Sequence, residues 1–167
     1  MNAKLALQSP VAHEHHARLV RHVDRMPRTA DLIEGDQPAQ LRFALDETCG
    51  FLTDLLLPHM AAAERALYPE LERLLQNRHS MSPMRREHEQ IRSYVTELEA
   101  IRAMLGDGSL SPRQQTRLRR LLFQLYALLK VHLAEELLYA DMVEHGASTE
   151  REAALATAME HAGTSTF

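Results

Sequence analysis

The 167-residue chain has one cysteine, no tryptophan, six glycines and aromatics at only 5% of its positions. A single thiol, Cys49, excludes an internal disulfide and suits a reducing compartment. Little glycine and scattered β-branched residues, beside abundant Leu, Ala, Glu, Arg and Met, favour an all-α fold. No apolar run approaches the roughly 20 residues that cross a bilayer. Lys4–Leu7 is followed by no apolar segment of signal-peptide type. A basic excess is missing as well: the formal charge is −4, which leaves no electrostatic footprint for nucleic acid. These absences predict a soluble, cytoplasmic helical protein with no membrane partner and enough chain for a buried core.

What the chain does contain is leucine at helical spacing with polar residues set among it. Residues 121–141, LLFQLYALLKVHLAEELLYAD, read as the middle of a long helix. Its inward stripe is Leu121, Leu125, Leu128, His132, Glu136 and Tyr139. An i,i+4 pair lies about 40° apart around a helix, so His132 and Glu136 reach one point in a bundle interior. A buried carboxylate without a partner is costly or takes up a proton. A cation shared with the histidine removes that penalty.

The remaining segments supply similar stripes. Val11 to about Met26 forms a first helix with four histidines, where Leu19, Val20, Val23 and Met26 point to His16 as the inward one and His13 as a distant second. Pro27 ends it, and Pro27–Gln40 is a polar connection. A second helix runs from near Ala39 to about Asn77. Its stripe is Leu41, Leu45, Thr48, Leu52 and Leu55, then His59, Ala62, Ala63 and Ala66. Pro58 should kink it, and a further break at Pro69 is open. Ser82-Pro83 starts a third helix, with stripe Met84, His88, Ile91, Val95, Leu98 and Leu105. A capping box, Ser111-Pro112-Arg113-Gln114, opens the fourth, which continues to about His145 and is closed by Gly146. A short fifth helix over 148–162 turns Leu155, Ala158 and Met159 inward. The organisation is therefore a bundle over 1–146 followed by a C-terminal helix and tail over 147–167.

Four long helices with short loops predict an antiparallel up-and-down four-helix bundle. Each stripe holds one histidine: His16, His59, His88 and His132. His16 and His88 lie in the first halves of their helices and His59 and His132 in the second halves, so alternating directions bring all four to one height. An isolated inward histidine is ordinarily a satisfied core residue. Four at one level beside Glu136 form a ligand set for iron, manganese or zinc. His15, His22, His79, His145 and His161 are assigned to the surface, and Tyr68 and Tyr139 to the core or the edge of the site.

Four stretches, EHHARLVRHV, PHMAAAERALYPELERLL, MRREHEQIRSYVTEL and LYALLKVHLAEELLY, resemble the bacterial hemerythrin-like (HHE cation-binding) family in order and spacing. The resemblance implies a four-helix bundle around two iron ions, oxo- or hydroxo-bridged, that binds dioxygen, nitric oxide or peroxide. It carries His16, His59, His88, His132 and Glu136 over as ligands. The family's second helix usually reads His-x-x-x-Glu-Glu with the first Glu between the metals, and here that position is Ala63. Glu64 follows, about 140° from His59 on a regular helix. A kink or π-bulge after Pro58 would turn it inward as the sixth ligand. Three functions fit: a di-iron protein that binds, senses or consumes a small oxidant, a metal-responsive interaction module, and a bundle that keeps its histidines without metal.

Overall fold

The computed structural model describes the backbone of residues 10–35, 37–105 and 110–163, and the side chains of 13–35, 37–105 and 110–146. Among these residues every element is helical. Helix α1 is Pro10–Val23, and a short α2, Met26–Asp31, runs into a 3₁₀ turn, Leu32–Glu34. Residues 38–74 form one long helix, α3. Helix α4 is Ser82–Met104 and α5 is Pro112–Gly163. Helices α1, α3, α4 and α5 make the expected four-helix bundle, with α2 packed beside α5.

Proline has a different role from the one read in the sequence. Pro27 does not close α1 but sits in the first turn of α2, where its missing N–H costs nothing and its fixed φ is already helical. The polar connection is therefore a packed helix that buries Met26, Thr29, Ala30 and Ile33. Pro83 likewise occupies the first turn of α4, without a cap from the Ser82 side chain. The box before α5 does form: Gln114 Oε1 accepts from the Ser111 backbone N–H at 2.8 Å, and Gln114 N–H reaches Ser111 Oγ at 3.4 Å.

Helix α3 contains two π-turns, Leu52–Leu56 and Ala63–Leu67. Pro58 and Pro69 each lie at the start of the α-helical segment that follows. A wider turn ahead of a proline absorbs both the absent hydrogen bond and the ring's clash with the preceding carbonyls. Each π-turn adds one residue to the local repeat, so the buried stripe slips by one position. Leu55 is 44% exposed and Leu56 is fully buried, the reverse of the regular-helix reading.

The core forms two apolar clusters. The larger includes Leu19, Leu45, Leu56, Met60, Ile91, Leu129 and Leu133, and the smaller includes Tyr68, Leu71, Met81 and Met84. A polar layer separates them. On α4 it falls at His88, between Met84 and Ile91. On α5 it occupies His132 and Glu136.

Helix α5 passes through Gly146 instead of ending there, and the helical turns expected over 148–162 are its continuation. A Cβ at Gly146 would lie 2.5 Å from Leu74 Cδ1. Glycine is needed for close approach of α5 to the end of α3, not as a helix stop. The inward turn of Leu155, Ala158 and Met159 concerns side chains outside the described residues.

Candidate metal centre

Five side chains from the four bundle helices meet in the polar layer: His16 from α1, His59 from α3, His88 from α4, and His132 and Glu136 from α5. They compose two groups, His16–His59–Glu136 and His88–His132–Glu136, each with its donor atoms within 4.8 Å of one another. Glu136 belongs to both. Its Oε2 lies 2.5 Å from His59 Nε2 and 3.5 Å from His16 Nε2, while its Oε1 accepts from the Tyr68 hydroxyl at 3.3 Å. His88, His132 and Glu136 have no exposed surface.

The outer nitrogens of the histidines are held from behind. His88 Nδ1 lies 2.6 Å from Glu64 Oε1, and Arg92 Nη2 donates to the same oxygen at 2.7 Å. His132 Nδ1 lies 2.9 Å from Glu87 Oε2. His59 Nδ1 faces His15 Nε2 at 3.1 Å. An ionised carboxylate only accepts, so His88 and His132 must carry their protons on Nδ1. With both rings neutral, the two Nε2 atoms present lone pairs to each other at 3.0 Å. Such a contact is unfavourable unless a positive charge lies between them. The donor set therefore fits a cation, with each Nδ1–H···carboxylate bond fixing the tautomer and making the imidazole a better ligand.

The electrostatics agree with that arrangement. Burial alone would raise the Glu136 pKa, but hydrogen bonds from His16 and His59, with positive charge at His59 and His132, hold it far below the ordinary carboxylate range. Burial also opposes ionisation of Glu64, and the bonds from Arg92 and His88 overcome it, leaving Glu64 lowered. Burial lowers His88 despite the Glu64 bond, which keeps the imidazole neutral and able to ligate. Tyr68 is raised strongly by burial and by the Glu136 charge, so its phenol keeps its proton. Its oxygen is 3.0 Å from His88 Nε2.

The sequence-derived positions divide here. His16, His59, His88, His132 and Glu136 converge. Glu64 is not in either group: it is turned towards α4 and grips the outer nitrogen of His88 through the π-turn in which it lies. Tyr68 is at the edge of the second group, and Tyr139 packs with the smaller apolar cluster. His13 bonds Asp141 at 3.2 Å. His15 and His22 are half-buried, the first against His59 and the second stacked on Phe51 at 4.8 Å. Glu87 was missed. Its only signal is its place next to His88 on a face that looks solvated, and it acts on a histidine of another helix.

A sequence model described as the Hemerythrin HHE cation binding domain matches residues 10–137. The chain belongs to that family. The match covers all five converging residues and both carboxylates behind the histidines, so the two groups of this family member form a candidate metal-cation site. No curated protein and no solved structure matches the chain. No helix among the described residues is long and apolar enough to cross a membrane.

Proposed function

We propose that the chain is a non-haem iron protein that binds or senses a small oxidant, namely dioxygen, nitric oxide or peroxide, in the middle of the bundle. The observation that carries this reading is the pair of three-donor groups sharing Glu136. Each group offers two imidazole nitrogens and one carboxylate oxygen, the set associated with non-haem Fe(II) and open coordination positions. Bound iron would supply a redox-active Lewis acid with room for an exogenous ligand.

The residues of the chain have separable tasks. Glu136 would serve as the carboxylate donor of both groups. Glu64, clamped by Arg92, and Glu87 hold His88 and His132 in the ligating tautomer. Tyr68, kept protonated by its surroundings, is a hydroxyl donor at the edge of the second group. The apolar clusters on either side of the layer keep bulk water away. With one carboxylate shared between the groups and Ala63 contributing none, fewer positions are saturated by protein than in a carboxylate-rich site.

Metal analysis and an optical spectrum of the chain purified from iron-replete cells test the reading. About two irons per chain and a spectrum altered by azide or nitric oxide support it. A chain without iron, or one whose iron ignores both ligands, contradicts it. A metal-responsive interaction module is a second reading, favoured by the contribution of donors from all four bundle helices. Identical melting of the metal-free and loaded forms excludes that role.

A further inference from the structure

Helix α5 carries a second apolar line on the side turned away from the core. Ala127, Val131, Ala134 and Leu138 follow one another in steps of four and three, and Arg120 lies one heptad before Ala127. This is the spacing of a coiled-coil seam. Val131 is 55% exposed and Leu138 64%, with both alanines also exposed. Phe123 and Met142, 44% and 40% exposed, border the line. Single exposed apolar side chains are ordinary. A heptad on the outside of a 52-residue helix, whose other side already fills the bundle core, is a surface built to be covered.

The charge along α5 says what covers it. Residues 112–134 contain Arg113, Arg117, Arg119, Arg120 and Lys130 and no acid, whereas 131–150 contain Glu135, Glu136, Asp141, Glu144 and Glu150 and neither Lys nor Arg. A second copy laid parallel would set like charge on like. Laid antiparallel, it brings Arg120 of each copy beside Glu144 of the other. The same register sets Ala127 opposite Leu138 and Ala134 opposite Val131, small against large at each layer. We propose that the outer face of α5 is a homodimer seam in which two copies pair antiparallel.

Sedimentation velocity of the full chain over rising concentration tests this. The expected result is a dimer fraction that grows with concentration. Val131→Glu combined with Leu138→Glu should leave only monomer, with unchanged helical content by circular dichroism. Arg120→Glu, on an exposed position, should weaken the dimer about tenfold at low salt. Adding Glu144→Arg to it should restore most of that loss, because the reversed pair meets across an antiparallel seam. A chain that stays monomeric throughout, or a doubly substituted chain that dimerises like the parent, overturns the proposal. Failure of the charge swap to restore association overturns the antiparallel arrangement.

Discussion

Glu136 is a fully buried carboxylate whose ionised form is kept by histidines on one side and a phenol on the other. Its partners were readable in the sequence because inward histidines and an i,i+4 glutamate break an otherwise apolar stripe. Of the residues behind them, Glu64 was singled out, but as a ligand and not as the acceptor on His88, and Glu87 and His15 were not. Glu64, Glu87 and His15 each act on a ring from another helix, and no periodicity within one helix reports a contact between two. Glu87→Ala removes the acceptor on His132 Nδ1 and frees the wrong tautomer. It should lower metal affinity by roughly 10- to 100-fold at the His88–His132 group, as read by competition with a chelator, while the other group retains its metal. A residue-scale effect away from the site concerns Cys49, whose thiol burial pushes from 9.0 up to about 11. Between those values the folded chain keeps a proton that the unfolded chain has lost, so stability falls as pH rises across the window. The fall amounts to about 2–3 kcal/mol. Urea unfolding at pH 8 and pH 11 should show it, and Cys49→Ala should remove that part of the loss.

At the scale of elements, starts were easier to read than internal irregularities. The Ser111–Gln114 box is local chemistry and formed as expected. A π-turn after Pro58 was expected and lies at Ala63–Leu67, but the one at Leu52–Leu56 was not, because Pro58 and Pro69 fix that a hydrogen bond is lost and not which turn widens to absorb it. These turns are why Leu55 and Leu56 exchange faces, and why Glu64 turns towards His88. Gly146 was misread for a related reason: its requirement comes from Leu74 on another helix. In a helix interior, Gly→Ala ordinarily gains about 1 kcal/mol, but here the added methyl meets Leu74. Gly146→Ala should therefore stabilise the Leu74→Ala background by more than it stabilises the parent, a coupling that a double-mutant cycle in urea measures.

For the molecule as a whole, the polar layer is a level at which donors from all four bundle helices converge. The bundle itself was legible because four amphipathic segments with short connections have few ways to pack. The division of its centre into two groups around one carboxylate was not, since that depends on the height and rotation of every helix at once. Metal loading should raise the melting temperature. At a free metal concentration about a hundredfold above the dissociation constant, each group adds about 2.7 kcal/mol, or roughly 5–10 °C for a chain of this size. Chelation should reverse the shift.

The shared carboxylate is tested most directly by anaerobic Fe(II) titration of the metal-free chain, its His16→Ala variant and its Glu136→Gln variant, with bound iron counted per chain. The amide of Glu136→Gln keeps the shape of the side chain and removes its charge from both groups. The expected result is about two irons for the parent chain, one for His16→Ala and none held tightly by Glu136→Gln. A Glu136→Gln chain that still binds one iron as tightly as the parent would contradict it, because one group would then be complete without the carboxylate.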